Sequence, residues 1–313
     1  MSMSWIRTLS LVAGAGVLAA AGPVAASCVS VTQAGAAPSV DYNPFRAATE
    51  TSAPFTLVAT RRQARQNQPQ VVRVDLQFVP DGSPFAGSGI TSYDLASAGV
   101  SVVSPTGTAF GGGGSWVSID FANNQPASSL PIRLVVPGRQ DAIAGSYEGR
   151  FKLAWRCTLS NNTTEEGEWP NGLWTTIDVA SRVRAVAIGG GTAGTLLVNP
   201  ATQEATGGLA IRSTGPFTVA ASSPTGFEMR LNNVGGARTP DDQRAGYRLK
   251  VAGEVLSLRG ASLTCARTGL SGSTLNVRTE LRVDPKTLRA GNYMDVVTID
   301  VTPQVIPGGA VTC

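Results

Sequence analysis

Two stretches of this chain end in the same way, and that duplication limits what it can fold into. Near the C-terminus, Ala290-Gly291-Asn292-Tyr293 leads into a run in which Val297, Ile299 and Val301 alternate with Thr298, Asp300 and Thr302. Earlier, Ala144-Gly145-Ser146-Tyr147 leads into Phe151, Leu153 and Trp155, which alternate with Arg150, Lys152 and Arg156. A period of two marks a strand with one buried and one wet face. In both places a glycine turn and a tyrosine precede it. The copies lie about one domain length apart, so the 313-residue chain carries one β-domain ending twice.

The rest of the chain agrees with an all-β reading. Only 15% of residues are charged, against 42% apolar, and uninterrupted runs of helix formers are missing. Alternating apolar positions recur along most of the length, which separates this composition from a disordered one. In the first half, Cys28–Thr32, Val40–Phe45, Phe55–Thr60, Val71–Val79, Trp116–Phe121, Ile132–Val136 and Gly145–Cys157 read as strands, with a loop-rich stretch from Pro80 to Gly114. Asn161–Gly172 (NNTTEEGEWPNG) is polar and rich in turn residues, and reads as a domain boundary. The second half opens with an alternating run from Thr176 to Ile188 and continues through Leu196–Val198, Leu209–Ile211, Phe217–Ala220, Phe227–Leu231, Tyr247–Val251 and Leu275–Arg278 to the final strand. Short strands separated by Gly, Pro and Asn turns predict sandwiches. The expected organisation is a leader over 1–26, a β domain over 27–160, a linker over 161–175 and a second β domain over 176–313.

The leader is read from Arg7, the apolar run Leu9–Ala21 and the small residues Pro23-Val24-Ala25-Ala26. This is the pattern of a secretory signal peptide and is too short for a membrane span. Cys28 behind Ala25-Ala26-Ser27 also allows a lipid anchor, although Ala suits that processing poorly three places before the cysteine. An exported chain with four cysteines (Cys28, Cys157, Cys265 and Cys313) predicts two disulfides. Three pairings exist on paper; the repeat favours Cys28–Cys157 and Cys265–Cys313, which staple one unit each.

The chain contains no histidine. That removes Ser-His-Asp and Cys-His catalysis and the usual His-containing metal sites. Glu165-Glu166 and Asp241-Asp242 are adjacent pairs, and neighbours on a strand point to opposite faces, so they make poor acid–base couples. Gly111–Gly114 and Gly189–Gly191 lack the Lys-Ser/Thr and helix start of a phosphate cradle. A net charge of +4 is modest and scattered, and the dense run Arg61-Arg62-Gln63-Ala64-Arg65 reads as a solvated loop, not a polyanion site. No enzyme, cofactor, metal site or nucleic-acid partner is expected.

Ala290-Gly291-Asn292-Tyr293-Met294-Asp295-Val296-Val297-Thr298-Ile299-Asp300-Val301-Thr302-Pro303 closely resembles the closing strand of spore coat protein U domains, the subunits of archaic chaperone–usher pili. Phe217-Thr218-Val219 and Gly246-Tyr247-Arg248-Leu249 resemble that family's middle strands. Val40-Asp41-Tyr42-Asn43-Pro44 and Ala144-Gly145-Ser146-Tyr147 resemble its opening and ending. The resemblance runs through Val183–Pro303 but covers only the two ends of Cys28–Cys157, and the second unit departs from the family in its cysteine placement. It implies two immunoglobulin-like β-sandwich domains, the C-terminal one an incomplete pilin fold lacking one strand. Such a domain accepts a donated strand from a periplasmic pilus chaperone and then, through the outer-membrane usher, from an adjacent pilin subunit.

Cleavage near Ala26 would leave almost nothing before Cys28 to donate, so the expected place is the pilus tip, at the cell surface. In two-domain tip adhesins of this kind, loops at the far end of the first domain press apolar residues onto a host or abiotic surface. The candidate loops are Pro84–Ile90 (Phe85, Ile90), Thr108–Trp116 (Phe110, Trp116) and Glu168–Trp174 (Trp169, Trp174). The alternatives are a structural pilin or surface-coat subunit without an adhesive role and a secreted carbohydrate-binding β-sandwich.

Overall fold

The computed structural model describes residues 24–25, 28–46, 49–62, 69–104, 110, 115–188, 194–232, 243–304 and 313. Most of the expected leader lies outside them, as do Gly111–Gly114, Gly189–Gly191, Asp241-Asp242 and residues 63–68 of the basic loop. No α-helix occurs among the described residues, in keeping with the alternating pattern.

The first sandwich is built from β1 (Val24–Ala25), β2 (Val29–Ala34), β3 (Ser39–Tyr42), β4 (Thr51–Arg61), β5 (Val71–Pro80), β6 (Asp94–Ser97), β7 (Val100–Ser101), β8 (Val117–Asp120), β9 (Ala127–Val136), β10 (Gly145–Leu159) and β11 (Thr164–Val179). One sheet runs β1-β2-β4-β9-β6-β7 and the other β3-β11-β10-β5-β8. Their facing sides share one core that includes Leu57, Ile132, Leu134, Leu76, Phe78, Phe151, Leu153 and Ile177. Cys28, at the head of β2, is bonded to Cys157 on β10, which joins the two sheets across that core and excludes a lipid on Cys28.

The second sandwich comprises β12 (Val183–Ile188), β13 (Glu204–Ser213), β14 (Phe217–Ser222), β15 (Glu228–Leu231), β16 (Arg244–Val251), β17 (Glu254–Val255), β18 (Ser262–Cys265), β19 (Gly269–Leu281), β20 (Tyr293–Met294) and β21 (Thr298–Pro303). Its larger sheet runs β12-β13-β19-β16-β15-β20, with β17 folded back on β16; its smaller one runs β18-β14-β21. A separate core centred on Ile211, Phe217, Val219, Leu249, Val251 and Leu275 lies between them. Cys265 is bonded to Cys313, so both pairings favoured by the repeat are present.

The expected linker over 161–175 is instead a tight turn and most of β11, which pairs with β10 from Thr158↔Thr164 to Gly145↔Val179. The register slips between Phe151↔Leu173 and Leu153↔Trp169, where Pro170-Asn171-Gly172 stands opposite Lys152 alone, so turn residues interrupt the strand although its core-facing phase is kept. The charges that made it look like a loop face solvent, with Glu166 against Arg156 and Glu168 against Lys152. The run expected from Thr176 to Ile188 is likewise split at Ala180–Arg182: Ile177 and Val179 belong to the first core, and β12 begins only at Val183.

The sandwiches meet through polar contacts. Asp141 accepts from the Leu270 N–H (2.9 Å) and from Arg267, which also donates to the Asp141 carbonyl (2.9 Å). Ala144 N–H donates to Thr214 O (2.8 Å), and Thr214 Oγ1 donates to Ala180 O (2.9 Å) and accepts from Arg182 N–H (2.8 Å). Charge-assisted bonds of this kind contribute more than neutral ones, less where solvent reaches them. Asp141→Ala is expected to lower the stability of the chain by about 1–2 kcal/mol and to broaden the distribution of inter-sandwich distances measured by small-angle scattering. An unchanged distribution would mean that the Ala144–Thr214 contacts hold the junction alone.

Candidate strand-acceptor groove

The duplicated ending has the same local geometry in both copies. Gly145 and Gly291 sit at φ 152° and 155°, values that favour glycine. Tyr147 Oη donates to Ala144 O (3.3 Å) and Tyr293 Oη to Arg289 O (3.1 Å), closing each turn on itself. Beyond the turn the two copies differ. In the first sandwich the closing strand, β10, is paired on both sides, by β11 and β5. In the second, β21 is paired only with β14, and among the described residues no strand is hydrogen-bonded to its other edge, although β12 passes near it. β12, the outer strand of the larger sheet, is likewise paired only with β13.

Side-chain burial tracks that difference. On β12, Val183, Ala185 and Ala187 stand opposite the buried residues Ser213, Ile211 and Leu209, so they share the core-facing side. Yet every β12 residue from Arg184 to Ile188 is exposed. On β21, Ile299 and Val301 stand opposite Ala221 and the fully buried Val219, but are themselves only half-buried. The two unpaired edges therefore face each other across a narrow apolar groove over the second core, in which β12 and β21 come close together. Ser181 Oγ donates to Gln304 O (2.8 Å), Gln304 N–H to Pro216 O (2.9 Å) and Gln304 Nε2 to Thr218 Oγ1 (2.7 Å), which closes the end nearest the first sandwich. Outside the groove, Asp295 accepts from Tyr247 Oη (2.6 Å), Thr225 Oγ1 (2.6 Å) and Ser223 Oγ (2.8 Å), fixing the corner where β20 turns into β21. Burial, and then the bond to Asp295, push the Tyr247 phenol far above its ordinary range. Unpaired backbone on two apolar edges is the arrangement that another strand completes.

Of the six residues expected to contact a surface, three are in the core. Phe85 is 1% exposed. Its ring lies over Gly149, where a Cβ would come within 2.4 Å of it, and packs edge-on against Tyr93 and Phe151 (centroids 5.1 and 6.5 Å). Ile90 and Trp169 are buried too, the latter stacked on Trp155 at 5.8 Å. The loop Pro84–Ile90 lies at the junction end of the sandwich, not the far end, because Ser88 O accepts from Ile143 beside Asp141. Its Pro and Gly residues mark the turns that fold it inward.

The other three stay accessible: Phe110 is 39% and Trp174 37% exposed, and Trp116 is half-buried. Trp174 lies on the outer face of the five-stranded sheet, in β11, and Phe110 and Trp116, from the connection leading into β8, lie beside Arg156 of β10. Arg150 stacks on Trp174 at 4.4 Å, and Arg156 lies beside Trp116 (5.3 Å) and Phe110 (5.9 Å), whose rings are 5.5 Å apart. Arg150 and Arg156 share one side of β10, so the aromatics form one lateral row. Of the groove residues, Ile299 and Val301 were read from the sequence as the apolar side of the closing strand, and Ala185 and Ala187 only as part of the alternating run from Thr176 to Ile188; none was read as a binding residue.

No protein-family model and no curated protein matches this chain. Among solved structures, it is similar to the CsuC–CsuE chaperone–tip adhesion subunit pre-assembly complex from the archaic chaperone–usher Csu pili of Acinetobacter baumannii. Identity is 13% over 84% of this chain and 96% of that one, with a TM-score of 0.41. It is similar also to the CupB6 tip adhesin of Pseudomonas aeruginosa (11% identity, 87% of this chain and 94% of that one, TM-score 0.37). A third similar structure is CfaE, the adhesive subunit of CFA/I fimbria of enterotoxigenic Escherichia coli (15% identity, 87% and 79% coverage, TM-score 0.35).

Proposed function

We propose that this protein is a non-enzymatic adhesive subunit of a chaperone–usher fibre, joined to it by a strand that another protein lays into its second sandwich. One observation carries the reading. The position beside the closing strand is filled by β11 in the first sandwich, whereas among the described residues no strand is paired beside β21 in the second, although both strands begin from the same Gly–Tyr turn. The first sandwich thus completes itself and the second requires a partner: first an export chaperone, then the neighbouring subunit. The segment from Cys28 onward is built into the first sandwich as β2 and is tied to Cys157, so it is not free to serve as a donor. That supports a terminal place in the fibre, with the first sandwich presented outward. Phe110, Trp116 and Trp174 are the residues offered to a surface, each contributing about 25 cal/mol per Å² of apolar area covered.

The test adds to the full chain a synthetic peptide alternating Leu or Val with Thr or Ser, and then measures thermal unfolding. At a hundredfold excess over Kd the second sandwich should gain about 2.7 kcal/mol and the first nothing. A chain stable alone, with no peptide bound, would end the acceptor reading. The stacking of Arg150 and Arg156 on the aromatic row favours a second reading, a structural subunit whose aromatics only brace its own sheet. The triple change Phe110→Ser, Trp116→Ser and Trp174→Ser separates the two: retention on polystyrene falls in the adhesin and is unchanged in the structural subunit.

A further inference from the structure

We infer that Leu196 stops the open end of the groove, so that a donated strand is limited to three inward side chains; this rests on the acceptor reading above. The core-facing residues of β13 are Ala205, Gly207, Leu209, Ile211 and Ser213, of which Gly207 stands opposite the buried Val277. Gly207 lies one position past Gly208, the partner of Ile188, and so marks the floor where β12 ends. A Cβ on Gly207 would come within 2.5 Å of Leu196 Cδ2 and 3.6 Å of Ile188 O. Leu196 packs on the second core, whereas its neighbour Leu197 is 75% exposed. The Leu196 side chain therefore occupies the hollow that the missing Gly207 side chain leaves.

From the closed end at Ser181 and Gln304, the inward positions along the groove are Val183, Ala185 and Ala187 on β12, and Pro303, Val301 and Ile299 on β21. Ala185 and Ala187 reach none of the core, and their small size leaves room for large donor residues. The next inward position beyond Ala187 stands over Gly207, where Leu196 already lies. Inward side chains on a strand recur every two residues, about 6.6–6.8 Å apart. A donor starting at the closed end thus seats three, and a fourth meets Leu196. Displacing the partly buried Leu196 to seat another leucine in its place gains little, so the fourth residue adds little grip while Leu196 is in place.

The experiment measures dissociation of fluorescent alternating peptides from the full chain. One peptide carries three inward leucines; two others carry a fourth, added at one end or the other. From the wild type, all three should leave at rates within about twofold of one another, a comparison that needs no variant. From Leu196→Ala, one extended peptide should leave at least tenfold more slowly than the short one, and Leu196→Met should restore wild-type behaviour. An extended peptide held tenfold longer by the wild type overturns the inference, and so does no gain in Leu196→Ala. If no peptide binds the wild type at all, the acceptor reading itself falls.

Discussion

Phe85→Ala is expected to destabilise the first sandwich by about 3–5 kcal/mol, the range for emptying a buried aromatic site. The ring cannot be replaced by local collapse. It closes the space over Gly149, and its edge contacts with Tyr93 and Phe151 connect the loop Pro84–Ile90 to the centre of the core. The loop backbone is held separately, by Phe85 N–H on Glu148 O and Ile143 N–H on Ser88 O, so truncation leaves a cavity rather than a rearranged loop. Denaturant unfolding of the full chain measures this as a fall in the first transition with the second unchanged. Phe110→Ala is the control: an exposed ring on the lateral face should move stability by no more than about 0.5 kcal/mol. If the two variants behave alike, the assignment of Phe85 to the core is wrong, and its loop returns as a surface contact. The pair also guards any adhesion assay, since lost binding in Phe85→Ala reports unfolding, whereas in Phe110→Ala it reports contact.

What could be read from the sequence was what short-range periodicity encodes. Val71–Val79 and Gly145–Cys157 alternate over most of their length and are strands, although Leu76–Val79 and Leu153–Trp155 are buried on both faces. The paired Gly–Tyr turns were visible because a tyrosine closing a glycine turn is a local device, and the structure gives both copies similar backbone angles. Three features were hidden. β11 was obscured by Pro170-Asn171-Gly172, which puts turn residues inside a strand while Trp169 and Leu173 on either side keep the same core-facing phase. β6 and β7 are short and lie in a glycine-rich stretch, so their pairing with β9 and with each other depends on partners distant in sequence. The burial of Phe85 depends on Gly149, more than sixty residues away, having no side chain. The groove was legible only as a family expectation. Its residues are alanine, valine and isoleucine, ordinary in any strand, and what distinguishes them is the absence of a neighbouring strand.

The double change Cys28→Ala and Cys157→Ala is expected to cost the first sandwich about 5 kcal/mol. The two cysteines are separated by 129 residues, and closing so long a loop removes more entropy from the unfolded chain than a short one does. Position adds to length. Cys28 heads β2 in one sheet and Cys157 faces it from β10 in the other, both buried, so the bond is a covalent tie between sheets otherwise joined by core packing and a few hydrogen bonds such as Phe78 N–H on Val102 O. Unfolding with and without reductant measures the effect without mutation, and the variant should match the reduced wild type. The second sandwich, with its own Cys265–Cys313 bond, should lose stability on reduction but not in the Cys28/Cys157 variant. A loss below about 1 kcal/mol in the first sandwich would mean that its unfolded state is already compact enough for the cross-link to remove little entropy. A loss near the expected size makes the first sandwich dependent on an oxidising compartment. Its maturation would then be set by disulfide formation, and on the acceptor reading that of the second sandwich would be set by the arrival of a strand.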